Sequence, residues 1–264
     1  MSVARARPRK RFGQHFLHDP AVIARIVAAI DLKDGDAAVE IGPGYGALTQ
    51  PLLAATGRLH VVEIDRELAA LLRSRYATEP GLVVHETDAL QMDWRALSVA
   101  CGAHLRLIGN LPYNISTPLL FRALDAADCV RDMHFMLQRE VVDRIVAAPG
   151  SSAYGRLTVM LAPRVSAQRL IDVGPGAFRP APKVASSVVR LTVREAPDWA
   201  RLPRYAEIVA AAFGQRRKTL RNALRPYLSS TDMNALGIDP GLRAENLSPT
   251  QFGALAQAAT AVLH

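Results

Sequence analysis

Asn110-Leu111-Pro112-Tyr113 ends the apolar run Leu105–Gly109 and brings together parts suited to one awkward nucleophile. The exocyclic amine of a nucleobase is unreactive because its lone pair is delocalised into the ring. Two acceptors aimed at its N–H bonds favour a tetrahedral nitrogen. Here they would be the Asn110 side-chain oxygen and the Leu111 carbonyl, held in place by Pro112. Tyr113 would stack on the base once it has left its helix. An ordinary strand-to-helix joint also uses Asn and Pro, so the rest of the chain has to decide.

The elements around the tetrapeptide are those that would position it. Leu105–Gly109 reads as a buried parallel strand. Asn114-Ile115-Ser116-Thr117-Pro118 reads as a helix entry, with Ser116 or Thr117 as the cap and Pro118 in the first turn. The loop then lies on the carboxyl edge of a sheet, where open α/β sheets bind ligands. Earlier in the chain, strand Ala37–Ile41 runs into Gly42-Pro43-Gly44-Tyr45-Gly46 and a helix from Ala47 to Ala55. Strand, glycine loop and helix form the first half of a nucleotide-binding βαβ unit, with Gly42 and Gly44 allowing close backbone approach. The spacing is G-x-G-x-G rather than the dinucleotide G-x-G-x-x-G, which disfavours a nicotinamide dehydrogenase.

Strand Arg58–Ile64 carries Glu63 roughly twenty residues beyond the first glycine, where a carboxylate accepts ribose hydroxyls. Asp65 is the rival, but Asp65-Arg66-Glu67 reads as a helix cap. A third strand, Leu82–Glu86, ends at Thr87-Asp88-Ala89, and Asp88 is placed to accept from the amine of an adenine lying over the sheet. Further strands are expected at Asp132–Gln138, Arg169–Val173 and Ser187–Val193, with helices at Arg139–Ala147 and Tyr154–Leu161. The fold class is α/β: a seven-stranded doubly wound Rossmann-like sheet with a small C-terminal helical domain. The expected boundary falls within the linker Glu195-Ala-Pro197-Asp198, giving residues 1–195 and 196–264.

Charge points to a polyanion. The chain of 264 residues has a formal net charge of +8 and a pI near 10.0; by itself this does not separate nucleic acid from an anionic membrane surface. The cations are concentrated. An N-terminal basic arm (residues 1–18) holds Arg9, Lys10 and Arg11, and the Pro-rich loop Gly174–Lys183 displays Phe178, Arg179 and Lys183. Phe213–Arg225 carries Arg216, Arg217, Lys218, Arg221 and Arg225 with no acid. That last stretch is expected as a helix over Arg217–Leu228, with Leu220 and Leu224 packing and the cations contacting nucleic acid. His15 and His18 lack companions for a metal site. The two cysteines, Cys101 and Cys129, match no disulfide or zinc spacing, as expected of a cytoplasmic protein. No apolar stretch reaches transmembrane length and no signal peptide is evident. With half the residues hydrophobic, a sizeable core is available.

With these pieces in order, the sequence resembles the ribosomal RNA adenine dimethylases of the KsgA/RsmA type. The carriers are Arg11–Leu17, Glu40–Thr49, Val62–Asp65, Asp88-Ala89, Asn110–Ser116, Phe178–Val184 and Phe213–Leu220. The resemblance implies an S-adenosylmethionine-dependent N6 methyltransferase acting on adjacent adenosines of 16S rRNA in the small ribosomal subunit. It further implies a monomer that needs no metal and no membrane. Gly42 and Gly44 would back the methionine part of the cofactor, Glu63 would take the ribose, and Asp88 the cofactor adenine. Asn110 would sit between cofactor and target base, and Tyr113 and Phe178 would sandwich that base. His15 and Leu17 match positions lining the cofactor site. Relatives often carry Asn where His15 stands, so its contact would run through backbone or an imidazole nitrogen. The methyl would pass in line to N6 of a flipped adenine, whose proton then leaves to solvent. Alternatives are another adenine-N6 enzyme, acting on large-subunit rRNA or DNA, and a non-enzymatic assembly factor on the same fold.

Overall fold

The computed structural model describes residues 15–112, 115–215 and 217–261. Contacts divide the chain into two compact units, residues 1–142 with 168–193 and residues 143–167 with 194–264. Residues 143–167 therefore pack with the C-terminal helices, whereas a boundary at 195 assigns them to the sheet. Tyr154 and Val159 explain the grouping, because both are buried in the helical core.

The first unit begins with β1 (Phe16–Leu17) and α1 (Pro20–Ile30), then β2 (Ala37–Ile41), α2 (Thr49–Thr56), β3 (Leu59–Glu63) and α3 (Arg66–Arg75). It continues with β4 (Leu82–Glu86), α4 (Trp94–Cys101), β5 (Leu105–Asn110), α5 (Ser116–Leu124), β6 (Val130–Gln138) and α6 (Arg139–Ile145). After α7 (Arg156–Leu161), which belongs to the second unit, come β7 (Val165–Val173), β8 (Phe178–Arg179) and β9 (Ser186–Val193). The order β4-β3-β2-β5-β6-β9-β7 makes the expected seven-stranded sheet. β4, β3, β2, β5 and β6 run parallel, and β9 pairs antiparallel with β6.

The central strands are apolar runs because helices cover both faces of a parallel sheet. Every residue of β3 is buried, as are residues 38–41 of β2. Asp19 caps α1 by accepting from the Ala21 and Val22 N–H groups, with Pro20 at the first helical position. Ile26 and Ile30 are buried and Val22, Ile23 and Val27 pack beside them, so the expected apolar stripe is core. Each fully buried side chain of this size contributes about 1.5–3 kcal/mol. α5 departs from its expected start: Ile115 holds the cap position with no side-chain cap bond, and Ser116 is the first helical residue. Instead, the Ile115 N–H donates to the Pro112 carbonyl at 3.1 Å.

Two further strands were not expected. β1 pairs antiparallel with β8, placing Phe16 opposite Arg179 and Leu17 opposite Phe178.

The second unit adds α8 (Pro203–Gly214), α9 (Leu220–Ala223), α10 (Ser230–Ala235) and α11 (Pro249–Ala261). Its core includes Tyr205, Ile208, Leu220, Leu224, Met233 and Phe252. The Tyr154 hydroxyl donates to the Leu247 carbonyl and the Tyr205 hydroxyl to that of Val159, both at 2.7 Å. The helix expected over Arg217–Leu228 is only the short α9. Pro226 has no N–H and disfavours helical backbone at Arg225. The leading N–H groups of α9, from Leu220 and Arg221, donate to the Leu242 and Pro240 carbonyls. Among the described residues, no helix is long and apolar enough to cross a membrane.

Candidate active site

The carboxyl ends of β2, β3, β4 and β5 surround a cavity of about 320 Å³. Its floor is the glycine turn. Gly44 adopts φ +58°, and a Cβ there would stand 3.0 Å from the Phe16 ring carbons. A larger residue would meet both backbone strain and the ring of β1. Gly109, one residue before Asn110, is held to glycine by space alone, since a Cβ would come within 2.7 Å of the Ile41 carbonyl oxygen. β5 can thus lie close enough to β2 to bring Asn110 to the glycine turn.

Three carboxylates line the cavity. Glu63, 4% exposed, accepts from the Asp65 N–H at 2.9 Å and the Gly44 N–H at 3.3 Å. Burial pushes its carboxyl above the ordinary value, against the pull of those N–H groups. Asp65 is used elsewhere: its side chain caps α3 through the Glu67 N–H. Glu63, and not Asp65, is among the residues lining the cavity. Asp88 sits at the end of β4 and accepts from the Leu90 N–H at 2.9 Å. Glu40, 2% exposed, accepts from the Thr49 hydroxyl at 2.6 Å. Burial raises its pKa to about 8, with the Thr49 bond opposing and the neighbouring Glu63 adding to the shift. Among the described residues, no cation pairs with Glu40, Glu63 or Asp88.

Asn110 closes the site. Its Nδ2 donates to the His15 carbonyl at 2.9 Å. A carbonyl only accepts, so the amide nitrogen must face His15, and Oδ1 is left on the other branch. Among the described residues, nothing donates to that oxygen. The cavity thus combines acidic acceptors, a glycine floor and an acceptor oxygen at one edge. That set of acceptors fits a ligand carrying hydroxyls, an amine and positive charge, such as a sulfonium nucleoside. Among the described residues, no group of three or more His, Cys, Asp or Glu is arranged to hold a metal ion.

A family model described as ribosomal RNA adenine dimethylase matches residues 5–260. The chain belongs to this family. A ribosomal RNA small subunit methyltransferase A from Aromatoleum aromaticum is 58% identical over 254 residues, covering 94% of this chain and 93% of the relative. Another of that name, from Pseudomonas aeruginosa, is 51% identical over 252 residues, covering 95% and 94%. Among solved structures, a dimethyladenosine transferase from Plasmodium falciparum aligns with TM-score 0.76 at 23% identity, over 91% of this chain and 96% of that one. The 23S rRNA methyltransferase ErmE aligns with TM-score 0.72 at 26% identity, over 93% and 99%. The sheet is that of a Rossmann-like methyltransferase, and the chain is a methyltransferase of the dimethylase family.

Within this family member, His15, Leu17, Gly42, Gly44, Glu63, Asp88, Asn110, Leu111 and Pro112 all line the one cavity. Phe178 does not. It is 3% exposed and belongs to the core cluster, because pairing with Leu17 turns its side chain inward. The ring is thus packed in the core rather than displayed, and the loop displays Lys183 without it. Lys183, Arg217, Lys218 and Arg221 are exposed. Tyr113, Arg9, Lys10, Arg11 and Arg216 lie outside the described residues. Sequence reasoning missed Glu40 as a site residue. The signal was available: an acid inside a strand that is otherwise apolar has no reason to be there unless it serves the edge it borders. Ile64, 53% exposed beside the cavity, was missed as well, for it carries no pattern.

Proposed function

We propose that the chain uses S-adenosylmethionine to dimethylate N6 of adjacent adenosines in the 3′-terminal hairpin loop of 16S rRNA, within the small ribosomal subunit in the cytoplasm. When bound, that cofactor supplies an electrophilic methyl group. Glu63 would accept from its ribose hydroxyls and Asp88 from its adenine amine, with Gly42 and Gly44 beneath the amino-acid part. Asn110 Oδ1, with the Leu111 carbonyl, would accept from the N–H bonds of the target amine and draw the nitrogen lone pair towards the methyl group. The amine proton would leave to solvent after transfer. Lys183, Arg217, Lys218 and Arg221, with the basic arm and Arg216, would contact the RNA phosphates.

The observation that carries this reading is the polarity of the Asn110 carboxamide. Its nitrogen is already engaged by His15, and its oxygen remains for an N–H donor at the edge of an acid-lined cavity. Asn110→Ala is expected to keep affinity for RNA while lowering methyl incorporation on the order of 10²-fold or more, the scale for losing one preorganised polar group. Near-normal turnover would refute the acceptor role. The likeness to ErmE favours a second reading, a large-subunit RNA substrate. Mapping dimethyladenosine after treating isolated RNAs and precursor small subunits side by side decides between them.

A further inference from the structure

His15 joins pieces of the chain that are far apart in sequence. Its carbonyl accepts from Asn110 Nδ2, and its imidazole Nδ1 lies 2.8 Å from the Pro180 carbonyl oxygen. Because a carbonyl offers no proton, Nδ1 is the donor in that bond. The residues that follow continue the attachment. Phe16 and Leu17 pair with Arg179 and Phe178, and the His18 N–H donates to the Ala177 carbonyl at 3.0 Å. The Phe16 ring meanwhile rests at Gly44 and meets Tyr45 edge-on, ring centres 4.5 Å apart. Residues 15–18 thus form a strap stitched along one side to residues 177–180. Its first residue holds the amide whose polarity matters most.

A carboxamide turns about a soft, two-fold terminal torsion. Without a fixed partner, Asn110 would present its nitrogen to the cavity about as readily as its oxygen. An N–H pointed at the target amine would compete for the lone pair that has to attack. The partner that prevents this is a backbone carbonyl, and a carbonyl at the end of a two-residue strand needs something to hold it still. The bond from the His15 ring to Pro180 supplies that hold.

We propose that His15 is a positioning residue for methyl transfer: its Nδ1–Pro180 bond fixes the carbonyl that sets which way the Asn110 carboxamide faces. The inference rests on the acceptor role assigned to Asn110 above. It makes a distinction between substitutes that a cavity-wall role does not. The side-chain nitrogen of Asn stands at the same distance along the chain from Cβ as Nδ1 of His, whereas that of Gln stands one bond farther.

The test compares wild type with His15→Ala, His15→Gln, His15→Asn and Asn110→Ala. For each it measures turnover on precursor small subunits, RNA KM, S-adenosylmethionine affinity by calorimetry, and thermal unfolding. His15→Ala and His15→Gln should lower kcat about fivefold to tenfold, the scale of one lost hydrogen bond. RNA KM should stay within about twofold, and because His15 also lines the cavity, any fall in cofactor affinity should be the smaller of the two effects, with the loss in kcat exceeding that of one weakened contact. His15→Asn should restore kcat. If Gln serves as well as Asn, or if the loss lies in cofactor affinity rather than kcat, the positioning role is overturned. Should His15→Ala fail to fold, the Asn and Gln pair alone decides. Normal turnover of Asn110→Ala would instead overturn the acceptor role, a separate failure with its own signature.

Discussion

The two ends of the parallel sheet bury charge in opposite ways. At the amino end, Arg106 of β5 is 3% exposed and surrounded by partners. It donates to Asp132 at 3.0 Å, to Asp36 at 2.7 Å, and to the Ile30 and Asp31 carbonyls that end α1. Burial alone would raise the Asp132 carboxyl. The neighbouring His134 and Arg106 outweigh it and hold the group below the ordinary range. Asp36 is likewise lowered, its burial offset by the Lys33 N–H and by Arg106. At the carboxyl end, Glu40 and Glu63 are as deeply buried but have, among the described residues, only neutral donors, and burial wins. A buried charge that finds its counter-charge inside the chain is architecture. One that does not is a place kept for something else.

The difference predicts opposite phenotypes. Arg106→Met strands Asp36 and Asp132 without their central partner and frees the end of α1. It should cost about 3–5 kcal/mol of stability in urea unfolding, the scale for breaking a buried pair by removing one member. Any folded fraction should keep its cofactor affinity. A loss of affinity without a loss of stability would break the comparison at its strongest point.

Glu63→Gln is the counterpart at the other end. The amide oxygen can still accept from one of the Asp65 and Gly44 N–H groups, so stability should move by no more than about 1 kcal/mol. Calorimetry should show cofactor affinity falling about 10-fold to 100-fold, as expected for hydrogen bonds to a charged acceptor. If stability fell and affinity held, Glu63 would belong with Arg106 as architecture.

The contrast between the ends was half legible in the sequence. The carboxyl end could be read because it is local: a strand, a glycine turn and an acid at a set offset all lie within residues 37–63. Asn110 could be read because Pro112 marks the loop. The amino end could not, because Arg106, Asp36, Asp132 and the end of α1 meet only through the parallel register of β2, β5 and β6. The same reason hid the β1–β8 ribbon, whose two-residue strands lie some 160 positions apart and leave no periodicity. It also misled the reading of Phe178, an aromatic in a Pro-rich loop that seems displayed until its partner Leu17 is known. The basic stretch near α9 shows a different failure: its charges were legible, but Pro226 was overlooked as a helix stop.

Glu40 offers the smallest effect and the sharpest test of whether the carboxyl end is kept for a ligand. Its pKa is about 8 in the folded chain, against 4.5 ordinarily. The folded state therefore holds a proton that the unfolded chain releases, and stability falls as pH rises between those two values. Glu40→Gln cannot titrate and can still accept from Thr49. Below pH 4.5 the two proteins should unfold at similar temperatures, with the variant gaining as pH rises and the gap levelling off above about pH 8. Above about pH 8 the variant should unfold at least a few degrees higher than the parent. An occupant bearing positive charge favours the carboxylate, so adding S-adenosylmethionine should shrink the gap where the empty protein shows it. A gap unchanged by the cofactor would mean that Glu40 is buried for the sake of the fold, and that the acidic end differs from the arginine end only in the sign of its charge.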